Sequence, residues 1–147
     1  MDKKVPLEIR EATPEDANFI LNSWLKSYRQ SNFAKNITNT VYFEGHHKVI
    51  RALLKKSSCL VACNENDPTQ IYGYIISEKI TNIPVIHYAY VKQTFRSMRI
   101  GQILLNKVKA PEEAGVFTHL TRASEKLAAK YNLLHHPYLA FAEEKED

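Results

Sequence analysis

The sequence predicts one α/β domain of the α+β type, a mixed and mostly antiparallel sheet flanked by helices. Three observations predict it. The chain has 147 residues, enough for one core and too few for two. Short β-branched and aromatic runs alternate with segments whose apolar residues recur at helical spacing. Two of the runs are joined by a turn cluster, the mark of a hairpin. The domain is expected to span residues 1–147.

Leu7-Glu8-Ile9-Arg10 alternates apolar and polar and reads as a half-buried first strand. Thr13-Pro14-Glu15-Asp16 announces a helix, with Thr13 as cap, Pro14 at the first helical position and acids in the first turn. Ala17, Ile20, Leu21, Trp24, Leu25 and Tyr28 form its apolar stripe. Ser31 to Thr40 is polar and reads as a loop. A second helix is expected from about Val41 to Lys55, with Phe43, His47, Ile50, Leu53 and Leu54 on one face. His46 and His47 are adjacent, so on a helix they point in different directions, and no Cys or His stands at useful spacing. No metal site is expected.

Ser58 to Cys63 reads as a strand, Asn64 to Pro68 as a turn, and Gln70 to Lys79 as the returning strand. Thr81-Asn82 turns the chain again, and Pro84 opens the central strand at a tolerated end position. Val85 to Val91 is apolar, β-branched and aromatic, a buried strand. Lys92 to Arg99 is polar and basic, and Ile100, Ile103, Leu104 and Val108 then recur at helical spacing. Pro111 to Gly115 ends that helix, and Val116 to Leu120 is a short strand. Ser124 is expected to cap a last helix over about Glu125 to Leu134, with Leu127, Ala128, Tyr131 and Leu134 inward. Tyr138 to Phe141 reads as a closing strand, and Glu143 to Asp147 as a charged tail.

A formal charge of +4 and a pI of about 9.0 suit an anionic cofactor. The Lys and Arg residues are spread along the chain, not gathered in the stripe that nucleic acid demands, so no nucleic-acid partner is expected. Cys59 and Cys63, on one face of a strand, stand roughly 13 Å apart, too far for a disulfide. With no signal-peptide pattern, they read as reduced core thiols of a cytoplasmic protein. No apolar run approaches the ~20 residues that span a bilayer, so no membrane association is expected.

The chemistry concentrates where the central strand meets a helix. The first N–H groups of a helix have no intrahelical partner, and its dipole is positive there. Arg96 and Arg99 add charge, and Gly101 allows close approach to the backbone. A phosphate or pyrophosphate cradle fits this arrangement; an ordinary basic surface connection is the alternative.

Val91 to Leu105 resembles the acetyl-CoA motif of the GNAT superfamily of N-acetyltransferases. That motif runs from a strand ending in Val, through an aromatic and an Arg, into [Gln/Arg]-x-x-Gly-x-[Gly/Ala] and a helix. Phe95 is the aromatic, Arg96 opens the motif and Ile100-Gly101 closes it. Arg99 stands where the family has its first glycine. The Ile-Arg strand, the Thr-Pro-Glu-Asp helix start and Gly73 in a strand also resemble the family.

The resemblance implies acetyl-CoA as co-substrate and a primary amine as acceptor. It assigns cofactor contacts to Tyr90, Val91, Arg96, Ser97, Met98, Arg99, Ile100, Gly101 and Gln102. Tyr28, Phe33, Tyr42, Glu44 and Glu78 are the acceptor-side candidates, and packed core is the other reading of the aromatics. Tyr131 falls at the place of the family's acidic tyrosine, in a pattern where Ser124, Leu127 and Lys130 replace Asn, Ala and Leu. A phenol, with an ordinary pKa of about 10, suits protonation of a leaving thiolate. His87 is the first candidate base, Glu78 the second, and a water relay the third. The family's fuller closing hairpin is missing, so the acceptor side is open, differently built, or completed by a second subunit in a homodimer. The alternative function is a GNAT-fold module without catalysis that binds a CoA-like ligand or a protein partner.

Overall fold

A computed structural model describes residues 5–31 and 37–141. The strands are β1 (Glu8–Glu11), β2 (Ser58–Asn64), β3 (Asp67–Ile80), β4 (Ile83–Val91), β5 (Gly115–Phe117) and β6 (Leu133–His135). The helices are α1 (Ala17–Arg29), α2 (Asn39–Lys56), α3 (Ile100–Val108) and α4 (Arg122–Tyr131). All strands lie in one sheet in sequence order, β1-β2-β3-β4-β5-β6. Pairing is antiparallel from β1 to β4 and parallel from β4 through β6. The mixed, mostly antiparallel sheet is as the sequence predicts.

Local chemistry explains the order. Thr81 and Asn82 both have positive φ, 51° and 65°, the signature of a two-residue hairpin turn that matches strand twist. They close the β3–β4 hairpin at the Ile80–Ile83 pair. Arg10 on β1 grips Asp16 through Nη1 and Nη2 at 2.7 and 3.0 Å, while Thr13 N–H donates to Asp16 at 2.7 Å. One buried carboxylate thus joins the first strand to the first helix start, and the arginine holds it below the usual carboxylate range.

Period-two alternation sends neighbouring residues to opposite faces. Val61, Cys63, Tyr74 and Ile76 pack with Ile20, Trp24 and Leu53 of α1 and α2. Ala62, Ile75 and Ile86 pack with Ile100, Leu104 and Leu105 of α3. Ser23 and Ser27, one turn apart on α1, hydrogen-bond the hydroxyls of Tyr74 and Tyr88 at 2.6 Å each. That fixes the height of α1 over β3 and β4.

The C-terminal third corrects the sequence reading. The last helix starts at Arg122, capped by Thr121, whose Oγ1 accepts from Ser124 N–H at 3.1 Å. Ser124 answers Thr121 N–H at 2.7 Å, so it completes the box and is not the cap. Asn132 takes the left-handed conformation (φ 56°, ψ 53°) and ends the helix at Tyr131. Leu134, expected inward, is 72% exposed on β6. Tyr138 to Phe141, expected as a strand, lies in the 3-10 turn Pro137–Phe141. The second helix begins at Asn39 behind Thr38, earlier than its apolar stripe suggests.

Candidate active site

The parallel pairing of β4 with β5 consists of Val85–Val116 and Ile86–Phe117, extended by one bond from Thr118 N–H to the Ile86 carbonyl at 3.0 Å. β4 continues to Val91 without that neighbour. The divergence begins at a bulge. Ser77 pairs with Ile86 and Ile76 with Tyr88, which leaves His87 as the extra residue. Bulges bend a strand and end its pairing. A small cleft with a cavity volume of about 40 Å³ lies in the gap, walled by His87 and Ala89 of β4, Phe117 and His119 at the end of β5, and Thr121 and Ser124 at the start of α4.

The end of β4 runs into a basic turn. Gln93–Met98 is a 3-10 segment, and Phe95 seals it onto Tyr72 with ring centroids 4.4 Å apart. Arg99 follows in the left-handed conformation (φ 60°, ψ 21°), and α3 starts at the next residue. That conformation is costly for any residue with a Cβ and natural to glycine. The chain therefore keeps the backbone of the glycine position with an arginine in it. The first intrahelical bond is Ile103 N–H to the Arg99 carbonyl at 3.1 Å, so the amides of Ile100, Gly101 and Gln102 precede the ladder. The Ile100 side chain is core, while Arg96 and Arg99 are exposed and Met98, Gly101 and Gln102 half-buried. Ser97 lies in the turn. Arg96 Nε donates to the Val91 carbonyl at 3.0 Å. Tyr90 packs on Tyr74 (5.5 Å) and Phe19 (6.4 Å). Gly73 lies opposite Val91, and a Cβ there would collide with the Tyr90 carbonyl.

A chain of polar side chains crosses the core beside the cleft. Lys56 Nζ lies 3.2 Å from Glu78 Oε2, and His87 Nε2 lies 2.7 Å from the same oxygen. His87 Nδ1 meets Thr118 Oγ1 at 3.0 Å, Thr118 Oγ1 meets His119 Nδ1 at 2.9 Å, and His119 Nε2 meets His46 Nε2 at 3.1 Å. Burial lowers the pKa of His87 against the pull of Glu78. Burial lowers His46 to about 4 and, with His46 and His87 nearby, His119 to about 3. All three imidazoles are neutral near pH 7. Both ring nitrogens of His87, the first candidate base, are engaged.

The acceptor-side candidates divide. Tyr28 and Tyr42 both stack on the His46 ring, with centroids 4.8 and 5.6 Å away. Tyr42 is buried and its hydroxyl donates to the Leu25 carbonyl at 2.5 Å. Glu44 is exposed on α2, Glu78 sits in the polar chain, and Phe33 lies outside the described residues. Tyr131 ends α4 half-buried against the α3-side cluster, outside the cleft walls. His46, Thr118 and His119 were not singled out from sequence as site residues. Thr118 and His119 follow β5 directly while His46 lies on α2, 73 residues from His119 in sequence, so no local spacing links the set. Among the described residues there is no group of three or more His, Cys, Asp or Glu placed to hold a metal. No described helix is long and apolar enough to cross a membrane.

No protein-family model matches the chain, and no curated protein matches it in sequence. Solved structures do match. A provisionally assigned acetyl transferase from Pyrococcus furiosus superposes with a TM-score of 0.56 at 20% identity, over 96% of this chain and 98% of its own. YjaB from Escherichia coli, solved in its apo form, gives 0.51 at 18% identity over 69% of this chain and 63% of its own. A GNAT-family acetyltransferase from Staphylococcus aureus gives 0.49 at 21% identity, and the chain spans 62% of its length. The architecture is the GNAT acyltransferase fold.

Proposed function

We propose that this GNAT-fold chain moves an acetyl group from acetyl-CoA to a primary amine. The observation that carries the reading is one continuous arrangement. β4 parts from β5 at the His87 bulge, and its free end leads into a left-handed basic turn and a helix N-terminus. In this reading an extended thiol-bearing arm enters where the two strands part, and a diphosphate sits at the turn.

In this reading the amides of Ile100, Gly101 and Gln102 and the charges of Arg96 and Arg99 hold the diphosphate, with Ser97 and Met98 shaping the turn. The backbone at Tyr90 and Val91 pairs with the arm and polarises the thioester carbonyl. Tyr131 protonates the leaving thiolate after a shift of the end of α4. His87 removes the amine proton, acting through its hydrogen-bonded neighbours because its own nitrogens are occupied. Tyr28, Tyr42, Phe33, Glu44 and Glu78 border the acceptor. The protein works in the cytoplasm, with a second copy completing the open β6 side.

A second reading has its own observation. Arg96 already occupies the Val91 carbonyl, an acceptor the arm would use, as in a fold that binds a CoA-like ligand or a protein partner without turnover. Two measurements separate the readings. Acetyl-CoA held at 100 times its dissociation constant raises stability by about 2.7 kcal/mol, read as a melting shift, and amines then release free thiol. A shift with no thiol released by any amine supports the non-catalytic module. No shift removes both ligand-binding readings.

A further inference from the structure

We propose that His46, His119, Thr118, His87 and Glu78 form one side-chain relay that takes the proton from the acceptor amine at His46 and delivers it to Glu78. The inference rests on the acetyl-transfer reading and extends it to residues outside the family motif.

The hydrogen count fixes the polarity. The Glu78 carboxylate only accepts, so His87 Nε2 carries the hydrogen at 2.7 Å. A neutral His87 then accepts at Nδ1 from the Thr118 hydroxyl at 3.0 Å. With its hydrogen used, Thr118 Oγ1 accepts from His119 Nδ1–H at 2.9 Å. His119 Nε2 is left to accept from His46 Nε2–H at 3.1 Å. Each group carries one hydrogen and points it the same way. Among the described residues Nδ1 of His46 receives no hydrogen bond, and it is the only ring nitrogen of the three histidines left open.

The surroundings suit transit and not storage of charge. His46 stacks with the Tyr28 and Tyr42 rings, and His119 touches Trp24, Tyr28 and Tyr88 edge-on. His135 is the other titratable group felt by His119, and Lys56 the cation facing Glu78. Burial keeps the imidazoles neutral, so the charge comes to rest at the Glu78–Lys56 end, where the side chains are 12% and 29% exposed.

In the step, an N–H bond of the ammonium breaks and His46 Nδ1–H forms. Each link passes its hydrogen onward until Glu78 Oε2–H forms, and that proton leaves to water. The freed nitrogen lone pair forms the C–N bond. The C–S bond breaks with its electrons on sulfur, and the second amine proton ends on the thiolate.

The test uses thiol release from acetyl-CoA with a panel of primary amines, alongside ¹⁵N NMR of the histidine rings. Thr118→Val removes the central link at constant shape, Thr118→Ser restores it, and His46→Phe keeps the ring stack without its nitrogens. The expected result is a fall in kcat of about 10- to 100-fold for Thr118→Val and His46→Phe, with KM for acetyl-CoA unchanged and Thr118→Ser close to the parent. NMR of the unsubstituted protein should show hydrogen on Nδ1 of His119 and on Nε2 of His46 and His87. The opposite tautomer of His119, or folded Thr118→Val and His46→Phe proteins with parental kcat, overturns the relay while acetyl transfer stands. An unsubstituted protein that releases no thiol with any amine overturns acetyl transfer and the relay's catalytic role together.

Discussion

Arg96 closes the open end of the central strand: its Nε donates at 3.0 Å to the carbonyl of Val91. The same side chain opens the basic turn before α3. It is exposed, so under the proposed acetyl-CoA reading its strand contact and a contact to the diphosphate would compete for one guanidinium. Arg96→Gln is expected to weaken acetyl-CoA binding about 3- to 10-fold and to reduce its salt dependence. Calorimetric titration at two ionic strengths checks this. Unchanged affinity at both would mean that the arginine stays on Val91.

Arg99 holds φ at 60° where glycine is natural. Arg99→Gly is expected to stabilise the fold by about 0.5–1 kcal/mol, because relief of the left-handed strain exceeds the added freedom of the unfolded chain. The turn should persist. Urea midpoints read the gain, and loss of stability would show that the Arg99 side chain holds the turn through contacts of its own.

Gly73 has no room for a side chain, since an added Cβ meets the Tyr90 carbonyl and lies 3.1 Å from Val91 Cα. Gly73→Val is expected to destabilise by about 2–3 kcal/mol and to displace the β4 end that borders the gap. Paired denaturation and acetyl-CoA titration should show both effects.

Much of this was legible in the residues. Thr81-Asn82, the Thr13 to Asp16 phrase and the alternation along Val61-Ala62-Cys63 each act through near neighbours, so they mark turns, helix starts and faces directly. The Arg96 to Gly101 spacing located the turn. The polar chain was not legible, because its links come from α2, β3, β4 and the exit of β5. His87 and Glu78 were singled out as candidate bases, without the links between them and His46. The Thr118 flanking His87 is 31 residues away in sequence, and His119 reaches His46 across 73. Nor did Tyr138 to Phe141 betray a turn: a run of apolar and aromatic residues reads as a strand when the edge already held by β6 is unseen.

The histidines set an acid limit on stability. Their folded pKa values lie below the unfolded value near 6.5, about 4 for His46 and about 3 for His119. Above pH 6.5 both states are neutral and stability is full. As pH falls below 6.5 the unfolded chain takes up protons that the folded chain refuses, until pH reaches the folded values. Each histidine then costs about 1 to 1.4 kcal/mol per pH unit. Asp16, whose pKa is lowered from 3.8, contributes only nearer and below that value, so the slope between pH 6.5 and 4.5 belongs to the histidines. His46→Phe should flatten it, as measured by denaturation across that range.

Acetyl-CoA titration followed by backbone amide NMR tests most directly whether the gap beside β4 and the turn before α3 take an acyl-CoA. The result expected is saturable movement of the Ala89, Val91, Ile100, Gly101 and Gln102 amides, with β1 and β2 still. Saturating ligand that leaves those amides in place, or moves only resonances elsewhere, would contradict it.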